Sequence, residues 1–566
     1  MIAARVVGRR HFQDSSVGGG ATPRLARGGR AGGMDDFKAW LRSSDFWWDE
    51  SAIELGASFP STDGAGPPAP RAGVRALRRL EAGDVLARIP RARCLTRASC
   101  AYPDAASRAR ASSGGDEERW LACLGAALLL ERRAASRGAS SFAPYLASLP
   151  GAEPDVVASW PDRHRRLLAG TDVDVALRDE RAQARAEWDG GVAEALAEAE
   201  RRDDAETTNE TTTSRPALGD GAVAGGGVSF EDFLAARSVA SSRAFTVDPT
   251  VGAGLVPIAD LFNHRTGGHH VRLTDDPEDP CGGFLVVRCV APADPGEEVF
   301  NSYGVLGNAK LLRSYGFAQP NNPADVVTFD VPAVRAAAAM RGVAGERVAA
   351  RLGRIRRHLG PGDAAFGDAA TFEIKADGAP PEALLLALWA LAEDDEARFE
   401  DVLARASTRG GGGGGGGGGF EDGGGVRPTA EAAARLAEVA RPRLADAATK
   451  ARAMDVLEEL IRRRRAMYYR APPTEEGTGG DGRDGEGFRR EASSDSGSDA
   501  RRRGLAAALA ASEFRILSAA ERFAAGERSA LEEGSFGGER PEDDGGKRRK
   551  TAAAASRADD AFSLFD

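Results

Sequence analysis

Strand-like sequence in this chain is confined to short runs on either side of a long helical block. "AGVRALRRLEAGDVLARIPRARCLT" (72–96) holds short apolar stretches split by "EAGD", where Gly83 marks a turn. It reads as two strands, the second closed by Pro90. Residues 116–212 then read as helical, with "WLACLGAALLLERRAA", "FAPYLASLP" and "WPDRHRRLLAGT" among them. A polar, acidic and Gly-rich stretch at 201–227 reads as a loop or insertion. "SFEDFLAARSVASSRAF" (229–245) resumes the helical pattern, with Ser229 and Asp232 spaced as an N-cap. The second strand region follows, with a strand at 284–290, a Pro/Gly turn and a further short strand at 297–301.

Upstream, "DDFKAWLRSSDFWWDESAIELG" (35–56) predicts a helix capped by Asp35 or Asp36, with Phe37, Trp40 and Leu41 on its apolar side. After Phe317 the character changes. "NNPADVVTFDVPAV" leads into Ala/Arg/Leu-rich helical sequence, which places a domain boundary near residue 325. A chain of 566 residues exceeds one ordinary core, and two or three domains are expected. The organisation read from it is a leader at 1–34, a first domain at 35–325 with a helical insert at about 116–245, a helical domain at 326–533 and a tail at 534–566. The ten-glycine run Gly410–Gly419 cannot pack and reads as a flexible loop within 408–427. Residues 472–500 and the tail are acidic, Gly/Ser-rich and read as disordered.

Composition narrows the function. A net charge of −10 and a pI of 5.5 argue against a dedicated nucleic-acid binder, and favour basic protein partners. Cys94, Cys100, Cys123, Cys281 and Cys289 are scattered and never form a CxxC pair, which argues against a disulfide framework or a Cys-based zinc site and for a reducing compartment. No apolar run is long enough to span a bilayer; residues 120–133 read as a core helix. The Arg/Gly/Ala-rich N-terminus, with Asp14 its one acid before residue 34, reads as an unstructured leader or an organellar transit peptide. "GGKRRKTAAAA" reads either as a nuclear-localisation patch or as a solvated basic tail. Nucleus or cytoplasm is expected, or a chloroplast if the leader is a transit peptide.

The chain has six tyrosines, and two of them flank one short segment: "EEVFNSYGVLGNAKLLRSYGF" (297–317) carries Tyr303 and Tyr315, each followed by glycine. By themselves these are either two core tyrosines with buried hydroxyl partners or two walls of one pocket. "SSRAF" (241–245) and "PIADLFNH" (257–264) stand out beside them. His264, His269 and His270 have no metal-ligand spacing, and no metal is expected.

Together these three pieces resemble the SET-domain protein methyltransferases. The branch is that of the Rubisco large-subunit lysine methyltransferase, and within it the match leans toward the SET-domain-containing protein 6 and fungal ribosomal-lysine methyltransferase types. "AGVRAL…EAGDVLARIP" resembles the family's opening strands, "FAPYLASLP…WPDRHRRLLAGT" its inserted helical subdomain, and "NNPAD" the segment after its catalytic core. The resemblance covers roughly residues 35–530. It implies an α+β fold: a SET domain of small sheets in a pseudoknot-like arrangement, a helical insert and an all-α substrate-binding domain. No post-SET cysteine cluster is present, which suits this branch.

The implied activity is methyl transfer from S-adenosyl-L-methionine to the ε-amine of a lysine in a non-histone protein, such as a ribosomal or other basic protein. Neither direct nucleic-acid binding nor a membrane is implied. The resemblance makes Tyr303 the catalytic tyrosine of the lysine channel, with Tyr315 closing the same pocket. It places Ala72, Gly73, Val74, Arg243, Asn263 and His264 at the cofactor, together with Tyr303 and Tyr315. Arg243 is expected to clamp the cofactor carboxylate. Phe245, Asp260 and Tyr315 fall on the substrate side. A histidine methyl acceptor and a SET-fold partner-binding protein without activity are the alternatives.

Overall fold

The computed structural model describes residues 31–60, 71–109, 116–153, 155–209, 228–279, 281–359, 370–408, 446–468 and 497–535. Residues 1–30 of the leader, the glycine run, the basic patch near the C-terminus, and residues 210–227, 472–496 and 536–566 lie outside them. The described residues up to 324 form one compact unit together with 497–510; residues 325–468 and 511–535 form a second.

In the first unit the strands are β1 (Trp47–Trp48), β2 (Ile53–Phe59), β3 (Arg71–Ala76), β4 (Val85–Pro90), β5 (Leu95–Thr96), β6 (Ala244–Asp248), β7 (Gly252–Leu255), β8 (Val271–Asp275) and β9 (Phe284–Cys289). They make three small antiparallel sheets, ordered β1-β4-β9-β8, β2-β3 and β5-β7-β6. The "EAGD" turn does connect two strands, with Gly83 at φ 100°. Those strands do not pair with each other, however: β3 joins β2 and β4 joins β9. Leu285, Val286 and Val287 are consecutive and all buried, as suits a central strand covered on both faces.

The stretch 297–301, expected as a strand, is instead a line of single bridges, Arg75 to Glu298 and both His264 and Val271 to Asn301. Its residues are shared among three neighbours, so no continuous ladder forms. Three helix boundaries also differ from expectation. The first helix runs Ala31–Ser43, so Asp35 and Asp36 lie inside it and do not cap it. Met34 extends the apolar face of Phe37 and Leu41 one turn upstream and packs against Gly56. Residues 201–209, read as loop, continue the helix Ala193–Asn209, and residues 497–500 begin the helix Gly497–Ser535.

Helix Phe230–Arg243 carries the expected cap as a reciprocal box: Ser229 Oγ accepts from Asp232 N at 3.2 Å, and Asp232 Oδ2 accepts from Ser229 N at 2.9 Å. Replacing Ser229 by alanine should cost about 1 kcal/mol, read by urea denaturation. This helix packs on Asp116–Ser136, where a Cβ at Gly125 would already stand 3.2 Å from the Phe233 ring. A second apolar cluster joins Val157, Trp160 and Leu168 to Leu312 of helix Asn308–Tyr315 and to Leu505 and Leu509.

The second unit is helical with one addition, a two-stranded sheet of β10 (Val326–Asp330) and β11 (Thr371–Lys375). Its core includes Trp389 stacked on Phe399 at 5.6 Å, and a buried Arg351 that donates to Ala390 O at 2.7 Å and pairs with Glu396 at 2.8 Å.

Candidate active site

Three backbone segments far apart in sequence are zipped together in the first unit. Val299 N donates to Val74 O (2.8 Å), and Ala76 N donates to Glu297 O (2.9 Å). Asn301 N donates to Asn263 O (2.8 Å), and Arg265 N donates back to Asn301 O (3.0 Å). These bonds bring Ala72, Gly73 and Val74, then Asn263 and His264, then Tyr303 to one place. The isolated bridges that replace the expected strand at 297–301 are therefore what assemble the site.

At one end, Asn263 Nδ2 donates to Ala72 O (2.8 Å) and to Glu298 Oε1 (2.7 Å), and Arg71 pairs with the other Glu298 oxygen at 2.7 Å. Burial raises the Glu298 pKa against these contacts. Glu298 and Arg71 were not singled out by sequence reasoning; nothing in "GEEVF" separates this acid from its neighbour. Gly73 lies against the pair. A Cβ there would stand 2.8 Å from Glu298 Oε1 and 2.9 Å from Asn263 Nδ2. The Phe59 ring stands 3.1 Å from the same point, so only glycine fits in this crowded cradle, where the Asn263 and Glu298 side chains close over the backbone of 72–74. Gly73→Ala should push these groups apart, weakening binding of S-adenosylmethionine at least tenfold and costing about 1–3 kcal/mol of stability. Titration calorimetry and urea denaturation check the two effects separately.

At the other end lies an aromatic cluster. The Tyr303 ring is 4.9 Å from Tyr315 and 5.0 Å from the His264 ring, with Phe245 edge-on at 6.3 Å and 87°. Phe317 completes it, 6.4 Å from Tyr315. Tyr303 Oη donates to the Phe262 carbonyl at 2.9 Å. Burial pushes its phenol well above its ordinary range, so the hydroxyl is neutral.

His264 is a brace rather than a free polar group. Its Nδ1 accepts from Tyr303 N at 2.9 Å, so Nε2 carries the proton and donates to Thr266 Oγ1 at 2.7 Å; that hydroxyl in turn donates to Leu306 O at 3.2 Å. The sequence placed His264 at the site through its resemblance, but gave no hint of this bracing.

Arg243 is engaged on the protein side. Its Nε pairs with Glu153 at 2.6 Å, and Nη1 lies 3.5 Å from the Asp260 carbonyl and 3.8 Å from Asp260 Oδ2. Asp260 is buried and accepts from Tyr145 Oη at 2.9 Å. Of the residues named from sequence, Phe245, His264, Tyr303 and Tyr315 meet in the aromatic cluster, and Gly73 and Asn263 meet at the cradle. Arg243 and Asp260 form a third, ionic group. Glu153 and Tyr145 belong to that group and were missed; each sits in helical-insert sequence that reads as packing. A cavity of about 670 Å³ lined by Val156, Leu177, Arg237 and Ser241 includes none of the predicted site residues, and is separate from this site.

Two buried groups here pull stability in opposite directions with pH. Burial lowers the His264 pKa to about 4. The folded state holds this ring neutral, so its contribution is complete above about pH 6.5 and is lost as pH falls toward 4, about 3 kcal/mol in all. Burial raises the Asp260 pKa to about 6, with Arg243 and Tyr145 opposing. The folded state favours its protonated form, so stability is regained as pH falls from about 6 toward 4. The two nearly offset. Asp260→Asn should remove the second and expose a loss of about 3 kcal/mol between pH 6.5 and 4 that the wild type does not show. Urea denaturation across that range checks it.

Among the described residues no group of three or more His, Cys, Asp or Glu is placed to hold a metal ion, and no helix is long and apolar enough to cross a membrane. Cys94 and Cys100 are buried, and burial pushes both thiols up to about 12.

No family model matches the chain. It is 28% identical over 321 residues to N-lysine methyltransferase SETD6 of Bos taurus, which is 54% of this chain and 63% of that protein. The Rattus norvegicus SETD6 is 29% identical over 274 residues, 47% and 52% of the two chains. Ribosomal lysine N-methyltransferase set10 of Schizosaccharomyces pombe is 32% identical over 107 residues, 18% and 19% of the two. The chain thus spans 52–63% of the length of the two SETD6 proteins. Among solved structures, the SET domain of LSMT bound to methyllysine and AdoHcy matches with a TM-score of 0.52 at 16% identity, over 88% of this chain and 93% of that one. The same domain bound to lysine and AdoHcy gives 0.51 at 17% identity, over 90% and 94%. The chain is related to these methyltransferases, and its fold is the α+β fold of the SET domain with a helical subdomain.

Proposed function

We propose that this SET-fold chain is an S-adenosylmethionine-dependent protein-lysine N-methyltransferase that acts on a non-histone, basic protein. The observation that carries the reading is the junction of two differently made sites. A backbone cradle at Gly73 and Asn263 is zipped directly to an aromatic channel around Tyr303. The cradle suits the amino-acid part of the cofactor, since it combines the peptide groups of 72–74 with the Asn263 amide and tolerates no side chain at position 73. S-adenosylmethionine, when bound, supplies the electrophilic methyl.

The remaining work falls to the chain's own residues. Phe245, Tyr303 and Tyr315 offer an incoming lysine an apolar enclosure, which disfavours the ammonium and favours the neutral, nucleophilic amine. The Tyr303 hydroxyl and the Phe262 carbonyl are fixed acceptors beside the reacting centre. His264 holds the Tyr303 backbone, and the Tyr303 hydroxyl bonds the Phe262 carbonyl, so orientation rather than a covalent intermediate is what the site contributes. The names of the related proteins, N-lysine methyltransferases and a ribosomal lysine methyltransferase, support lysine as the acceptor class. The acidic balance of the chain supports a basic target.

The test is incubation of the purified protein with methyl-labelled S-adenosylmethionine and a cell extract depleted of methylation. Label should enter protein. No incorporation, together with no cofactor binding by calorimetry, would leave the fold without this activity.

A further inference from the structure

The helical insert reaches the Asp260 carboxylate through the Tyr145 hydroxyl. Tyr145, in the helix Ala143–Ser148, is 1% exposed; its ring lies 5.7 Å from Phe37 and is parallel to Trp40 within 9° at 6.3 Å. Trp40 is itself anchored, its Nε1 donating to Ser141 O at 2.9 Å. From this rigid stack Tyr145 Oη donates to Asp260 Oδ2 at 2.9 Å. Asp260 Oδ1 is buried and has no partner among the described residues. The groups that face Asp260 are Tyr145, Arg243, Glu153 and Tyr303, with Cys94 behind Tyr145.

Asp260 sits in a strained turn. Ile258, two residues before it, has φ 72° and is fully buried. A β-branched residue in that region persists only where its surroundings hold it there. The turn is closed by Asp260 N to Val256 O (3.2 Å), Leu261 N to Ile258 O (3.1 Å) and Phe262 N to Ala259 O (3.2 Å). Two residues beyond Asp260, the Phe262 carbonyl receives the Tyr303 hydroxyl. Tyr145 and Arg243 are the side chains that grip the turn from outside.

We propose that Tyr145 is a positioning residue for methyl transfer: by holding the Asp260 carboxylate, its hydroxyl keeps the turn at 258–262 in the shape that presents the Phe262 carbonyl to Tyr303. The inference rests on the transferase reading above. Without the hydroxyl, the buried carboxylate keeps its own backbone N–H and Arg243, at 3.8 Å, among the described residues. Its ionised form is then disfavoured, and the turn loses its grip at higher pH.

The test is the pH dependence of label transfer to the methylation-depleted extract, for wild type, Tyr145→Phe, Asp260→Asn, the double variant and Trp40→Phe. Tyr145→Phe should lower the rate at neutral pH about tenfold and move the acid limb up by about one to two pH units, the scale of a hydrogen bond to a charged group. Asp260→Asn should abolish that limb, and adding Tyr145→Phe to it should change the rate little further. Trp40→Phe loosens the same aromatic stack without removing the hydroxyl, and should lower thermal stability while leaving the limb in place. An active wild type whose acid limb is unchanged in Tyr145→Phe, or moves equally in Trp40→Phe, overturns the positioning role alone. A wild type that transfers no label overturns the transferase reading beneath it.

Discussion

Tyr303→Phe is expected to reduce methyl transfer by about 10²–10³-fold while leaving cofactor binding within a factor of a few. The Tyr303 hydroxyl is a fixed polar atom inside the aromatic cluster, held in place by the Phe262 carbonyl at 2.9 Å. Phenylalanine keeps the ring contacts with His264, Tyr315 and Phe245, and keeps the backbone N–H that His264 accepts. Only the fixed oxygen beside the reacting centre is lost. Loss of one preorganised polar group at a transition state typically costs a factor of that size. Equal losses of rate and cofactor affinity would instead mark Tyr303 as a binding residue. Initial rates and calorimetry on the same preparation separate the two.

The second large effect is on the fold around the site. Gly316→Ala should destabilise the first unit by about 2–4 kcal/mol, combining left-handed backbone with a hard clash. Gly316 caps the helix that ends in Tyr315, with φ 74° and its N–H donated to Leu312 O. An added Cβ would stand 2.6 Å from the carbonyl carbon of Asp155 and 2.7 Å from Val156 N. Those are backbone atoms that cannot swing aside, and they lie just beyond Glu153, the partner of Arg243. Displacing them disturbs the Tyr315 ring and the ionic group together. Gly304→Ala is the contrast: φ is 123°, but the nearest atom to a new Cβ is 3.6 Å away on Leu306. It should cost about 1–2 kcal/mol, from backbone conformation alone. Urea denaturation of the two variants gives the comparison.

The paired Tyr-Gly motif was therefore legible for different reasons at its two ends. Tyr315-Gly316 ends a helix against a neighbouring backbone, while Tyr303-Gly304 leaves an extended segment. The capping box at Ser229 and the central strand at 284–289 were readable because local chemistry decides them. The sequence also pointed to the residues that meet at the aromatic cluster, but only through a resemblance, since nothing local brings Phe245 to Tyr303. What stayed hidden depends on contacts between distant segments. The isolated bridges of 297–301 look like a strand until their partners are known. Tyr145 and Glu153 look like packing residues in a helical stretch, because their partners, Asp260 and Arg243, lie about a hundred residues away. His264 reads as a polar site residue, and only its two ring contacts show that it braces Tyr303.

The most direct test of the account is to locate the transferred methyl by mass spectrometry, after reaction of the wild type and Tyr303→Phe with methyl-labelled S-adenosylmethionine and a methylation-depleted extract. Label on lysine side chains that falls at least a hundredfold with Tyr303→Phe is the predicted result. Label on histidine, or label on lysine that does not depend on the Tyr303 hydroxyl, would contradict it.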